Sequence, residues 1–205
     1  MMPAARESLL DAAYTALARR AWSAVRMVDV AAVAGVSRQT LYNEFGSKEG
    51  LARALVRREA DAYLAGVERA LAAHTDARER LVAAAEWTAS AARSNALVRA
   101  MLTGCWSERL PSPTLSAVPS SSAVPAQRRA DGPLPSPGDF VGLVRDRAVA
   151  TLSTSKADTS ELARSCELVV RLALSCVAAP PGEGGVTDLV KAALAPSHRA
   201  LGITS

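Results

Sequence analysis

Residues 26–51, RMVDVAAVAGVSRQTLYNEFGSKEGL, read as two short helices joined by a turn. Ala31 is small where two helices approach closely, Gly35 is free to take a positive φ in the turn, and Leu41 faces back toward the first helix. Val30, Ala34 and Val36 supply the remaining inward positions. The pattern predicts a helix over residues 27–34 that stops at Gly35 and a second over 38–45, for which Ser37 is a suitable N-cap.

Working outward, Leu10, Ala13 and Leu17 recur at helical spacing and predict a helix over 6–20, with Arg19 and Arg20 suited to its C-terminal end. After the turn at Gly46, Ser47 can cap a long helix over 48–73 with Leu51, Leu55, Ala62 and Val67 on one stripe. Further helices are expected over 76–93, 95–106, 138–152, 158–179 and 186–195. Between residues 107 and 137 lie seven of the eleven prolines, interspersed with serines. No regular helix survives that density of proline, so this stretch reads as a loop-like insertion. The fold class is therefore all-α, with one division at 47/48 and the insertion inside the second part.

The 205 residues are 49% hydrophobic but only 4% aromatic, which suits alanine- and leucine-rich helices. A formal charge of +4 suits an anionic partner without identifying one. The opening MMPAARESLL has no apolar stretch ahead of a cleavage site, and no run approaches the roughly 18–20 residues that span a bilayer. A cytoplasmic protein with no membrane partner is expected. Cys105, Cys166 and Cys176 lack the close pairing of a zinc site; on one helix Cys166 and Cys176 would stand roughly 15 Å apart, too far to bridge. They read as reduced packing residues, with a redox sensor as the alternative. His74 and His198 are the only histidines, neither has nucleophile or metal spacing, and no glycine-rich phosphate loop occurs. No enzyme, metal or cofactor is expected.

Asp29, Val30, Ala31, Ala34, Gly35, Val36, Ser37, Thr40, Leu41, Tyr42, Phe45, Lys48, Glu49 and Leu51 together closely resemble the TetR family of bacterial transcriptional repressors. The stretch SRQTLYNEFGSKEGLARALVRREADAYL also looks like an actinobacterial branch associated with alkane or fatty-acid metabolism. The resemblance implies a three-helix helix-turn-helix DNA-binding domain over 1–47. A helical ligand-binding and dimerisation domain over 48–205 would carry the insertion at 107–137. Two residues depart from the pattern: Arg26 stands where a threonine commonly caps the second helix and touches phosphate, and Trp22 lies near a common glycine. Arginine can reach phosphate but cannot cap.

A helix in the major groove must expose side chains to base edges while neighbours hold the DNA backbone. Arg38 and Gln39 are the best base readers, since arginine can address guanine bidentately and glutamine adenine; Arg38 bound only to phosphate is the other reading. By resemblance Thr40, Tyr42 and Lys48 are phosphate contacts, with Asn43 a further base or backbone contact and Ser37 and Arg26 beside them. Tyr42 also suits a half-buried packing role, and Lys48 an ordinary solvated lysine. The resemblance further implies a homodimer on a palindromic operator in double-stranded DNA, joined through the helices around 162–177 and 186–194. Trp87, Met101, Cys105, Trp106, Phe140, Leu143 and Leu172 are the candidates to line a cavity for a small hydrophobic ligand, although each also suits plain core packing. The competing reading is a DNA-binding regulator controlled by a protein partner or by thiol oxidation, without a small-molecule effector.

Overall fold

Helix boundaries in this chain fall where short-range chemistry puts them. The computed structural model describes residues 3–111, 134–153 and 159–195. Among these are nine α-helices and no strand: α1 (Pro3–Arg19), α2 (Met27–Val33), α3 (Arg38–Phe45), α4 (Lys48–Ala72), α5 (Ala77–Ser94), α6 (Ala96–Thr103), α7 (Pro137–Leu152), α8 (Thr159–Ala178) and α9 (Gly185–Ala193). A single 3₁₀ turn, Trp22–Ala24, precedes α2. The all-α class is as expected. Most of the insertion at 107–137 and all of residues 196–205 lie outside the described residues.

Several ends depart from expectation for identifiable reasons. Ser136 and Asp139 form a reciprocal capping box with Pro137 in the first turn, so α7 begins at the last proline of the rich stretch. Helix α6 stops at Thr103, not near Trp106, because Gly104 turns the chain with φ +73°.

The described chain forms two compact units. Of the described residues, the first holds α1 to α3, α4 up to Ala62, and residues 104–111 and 134–135. Leu9, Leu10, Ala13, Val30, Ala31, Leu41, Leu51 and Leu55 are buried in it. Its second segment returns to the 3₁₀ turn, where the Trp22 N–H donates to the Arg109 carbonyl at 2.8 Å and Pro111 is buried. The compact units thus divide at 62/63 in α4, whereas the expected division at 47/48 falls between α3 and α4. The first half of α4 belongs with α1: Arg58 binds Asp11 at 2.6 Å and sits 6.0 Å from the Tyr14 ring centroid.

The second unit takes the rest of α4 from Tyr63 together with α5 to α9. Within it α8 packs on α5 and α7, and α9 on α5 and α8. The buried face of α5 is mostly alanine, which lets neighbouring helices approach closely. Ala62, expected on the inward stripe of α4, is exposed, and Tyr63, Leu64, Gly66, Val67 and Leu71 are buried beyond it. On α8 the buried face is Cys166, Val169, Val170, Ala173 and Cys176; Leu162 and Val177, expected there, are half-buried at its edges.

Candidate nucleic-acid interface

Helix α3 is set up by its own first turn. Ser37 has extended φ/ψ, and its Oγ accepts from the Thr40 N–H at 3.0 Å, satisfying one of the donors that a helix start leaves open. The hydroxyls of Ser37 and Thr40 lie 2.8 Å apart. Gly35, at φ +67°, makes the turn that brings α3 across α2. Leu41 and Phe45 are the buried residues of α3, so the opposite face projects outward.

On that face Arg38, Gln39 and Asn43 are exposed, and Tyr42 is half-buried. The Arg38 guanidinium carbon lies 5.3 Å from the Tyr42 ring centroid, a cation–π contact that restrains a long side chain. Gln39 Nε2 donates to Asn43 Oδ1 at 2.8 Å, one helical turn away. This bond leaves Gln39 Oε1 and the Asn43 amide hydrogens free for base edges. Tyr42 is thus half-buried, with its ring beside the exposed Arg38.

Lys48 is tied inward. Its ammonium donates to the Ser23 carbonyl at 3.0 Å and lies 5.6 Å from the Trp22 ring centroid, leaving further N–H donors for an anion. Arg26 precedes α2 and makes no side-chain cap, in keeping with its chemistry. Instead its Nε and one terminal nitrogen hold both oxygens of Asp29, at 3.1 and 3.2 Å, while Arg20 reaches the same carboxylate at 3.4 Å. The grouping of Arg20 with Asp29 was not read from the sequence; nine residues and a turn separate them.

The candidate ligand residues are distributed unevenly. Trp87, Met101, Phe140, Leu143 and Leu172 belong to the second unit; Cys105 and Trp106 belong to the first, with Cys105 exposed. Met101 and Phe140 are buried, and Phe140 meets Tyr63 edge-on with centroids 6.0 Å apart. Trp87 lies against Gly66, and its indole N–H donates to the Tyr63 carbonyl at 3.0 Å. Tyr63 and Thr88 form a buried polar pair with oxygens 3.1 Å apart. Thr88 already donates to the Ala84 carbonyl at 2.8 Å, so the Tyr63 hydroxyl is the donor between them. Burial pushes the Tyr63 hydroxyl up to about 12. The Cys166 thiol is pushed up to about 11 by the same cause, which keeps it protonated and poorly reactive near neutral pH.

A family described as bacterial regulatory proteins, tetR family, matches residues 9–55, from α1 into α4. The HTH-type transcriptional regulator AlkX of Mycobacterium tuberculosis is 35% identical over 177 residues, covering 86% of this chain and 76% of that protein. The chain belongs to the TetR family of DNA-binding transcriptional regulators. The HTH-type transcriptional activator FasR of Mycolicibacterium smegmatis is 42% identical over a shorter stretch of 81 residues, 40% of this chain and 37% of its own. Among solved structures, a TetR/AcrR-family regulator from Thermobifida fusca shares the fold with a TM-score of 0.54 at 16% identity, covering 92% of this chain and 93% of its own. The TetR family repressor AlkX from a Dietzia strain, implicated in biodegradation of n-alkanes, has a TM-score of 0.51 at 22% identity, covering 91% and 90%. As a TetR-family chain it is a regulator and not an enzyme, and no described helix is long and apolar enough to cross a membrane.

Proposed function

We propose that this TetR-family chain is a homodimeric repressor that reads a palindromic operator through α3 and leaves it when a small hydrophobic ligand binds the helical body. The observation that carries the DNA part is the outward face of α3, where Arg38, Gln39 and Asn43 stand exposed on a capped helix with Gln39 and Asn43 already bonded to each other. Arg38 and Gln39 read bases, Thr40, Tyr42 and Lys48 hold phosphates, and Ser37, Asn43 and Arg26 complete the surface. Leu168 on α8 and Leu189 on α9 are 45% and 44% exposed, and support a partner subunit seated on those two helices.

The apolar character of the second unit supports the ligand class. Thr88 is the buried polar residue there among the described residues, so a charged ligand group would find little to compensate its desolvation. Trp87, Met101, Phe140, Leu143 and Leu172 remain the lining candidates within the second unit. The name of the Dietzia relative points to alkanes or acyl chains as the first compounds to try. A ligand of this class releases DNA only if it binds the non-reading form more tightly than the reading form. The competing control by thiol oxidation draws little support from Cys166 and Cys176, both buried.

Selection of bound duplexes from a random library tests the proposal. A palindrome with half-sites about one helical turn apart is expected, and Arg38→Ala or Gln39→Ala should relax one position per half-site by roughly 1–3 kcal/mol. Failure to enrich any sequence overturns the reading of α3. Retention of the selected duplex in the presence of long-chain alkanes, fatty acids and acyl thioesters overturns the ligand class.

A further inference from the structure

Asp29 gathers two arginines from different elements. Arg26 meets it through two nitrogens, and Arg20, directly after α1, meets the same Oδ2 that Arg26 Nε holds. The side chains are 74% exposed for Arg26, 48% for Arg20 and 32% for Asp29. Pairs this exposed contribute little to stability, so the grouping is poorly explained as a brace for the fold. What it does is fix direction. Two cations on one carboxylate leave a net positive charge, and most of the N–H donors of the two guanidiniums remain free of Asp29. The group stands at the start of α2, and the first helix of a helix-turn-helix pair crosses the DNA backbone.

From this we infer that Arg20 and Arg26 form a paired clamp on one DNA phosphate, with Asp29 as the positioning residue that turns the two guanidiniums outward together. Arg20 thereby becomes a DNA contact contributed from outside the helix-turn-helix. The clamp rests on the proposed reading of α3 as the groove helix. It also accounts for an arginine at the N-cap of α2, where it makes no side-chain cap: the side chain is used for its fork, which grips phosphate in a fixed plane.

The test is the salt dependence of binding to the selected duplex, measured by fluorescence anisotropy on the full chain. Arg20→Ala should flatten the slope of log K against log salt by about 0.9 per head, about 1.8 for a dimer on its duplex, which is roughly a tenfold difference in the loss of affinity between 50 and 200 mM salt. Arg19→Ala removes the same charge one residue earlier and should leave the slope unchanged. Asp29→Asn is decisive in sign. Removing a negative charge beside DNA would tighten binding by charge alone, whereas loss of positioning should weaken it roughly tenfold. Tighter binding by Asp29→Asn, or an unaltered slope for Arg20→Ala, overturns the clamp. Should Asp29→Asn not fold, Arg26→Lys keeps the charge but loses the two-point hold, and weaker binding at an unchanged slope is expected; equal binding overturns the clamp. Arg38→Ala separates the two readings: if it weakens binding while Arg20→Ala is silent, only the clamp fails, and if the unaltered protein shows no salt-dependent binding, both fail.

Discussion

At Gly66 a single hydrogen decides whether a tryptophan fits. A Cβ there would fall 2.1 Å from two ring carbons of Trp87 and 2.4 Å from the nitrogen that donates to Tyr63. Gly66→Ala should therefore push the ring away and destabilise the fold by about 1–3 kcal/mol, read as a lowered melting temperature. Gly50 is tighter still, because a Cβ would meet the Phe45 carbonyl oxygen, part of the backbone that ends α3. Tyr63 gives a pH signature. Its folded pKa is raised from 10.0 to about 12, so the unfolded chain releases its proton first and the contribution is intact below pH 10. It is lost as pH climbs from 10 to 12, on the order of 2–3 kcal/mol at 1.36 kcal/mol per unit. Tyr63→Phe should remove that part of the alkaline decline, since Thr88 stays bonded to Ala84; identical decline in both proteins contradicts the assignment. Trp87 illustrates what a sequence conceals at this scale. A lone aromatic among alanines suggests a cavity wall, but the glycine that receives it lies 21 positions away on another helix.

Elements differ in how much of their placement is local. The α2–turn–α3 segment is readable because its signals act within a few residues: Gly35 at positive φ, Ser37 capping through the Thr40 N–H, Leu41 and Phe45 facing in. Replacing Ser37 by alanine should cost about 1 kcal/mol by denaturant titration, with Ser37→Gly recovering most of it. Helix α4 is readable as a helix but not in the face it buries. Its inward stripe passes Ala62 by and resumes with Tyr63 and Leu64, because different neighbours cover the two halves and their identity is not a short-range property. Its first half is held to α1 by Arg58, which bonds Asp11 and Glu59 at 22% exposure. Arg58→Ala should loosen that half, seen as faster amide exchange in α1 and the start of α4, with only a modest fall in overall stability.

For the whole molecule, assembly is the property most exposed to test. Leu168→Glu combined with Leu189→Glu places charge on the two outward helix faces and should give a monomer by light scattering, with operator affinity falling sharply as one head loses its mate. A double variant that remains dimeric would show that the partner sits elsewhere. The class of the molecule and its DNA-binding end could be recognised from residues alone, since both depend on a dense local pattern; a ligand site could not, since its candidates come from four helices and an irregular segment. The return of the chain at Gly104 also carries a practical message for protein engineers. The strand of polypeptide passes between the two units after Ala62, after Thr103 and after Pro135, so the amino-terminal unit is discontinuous. A hybrid regulator spliced at one crossover in α4 would match the new head to a foreign clasp, where the carbonyl at position 109 must accept from the Trp22 N–H. Transplanting the clasp with the head is the graft that respects this thread.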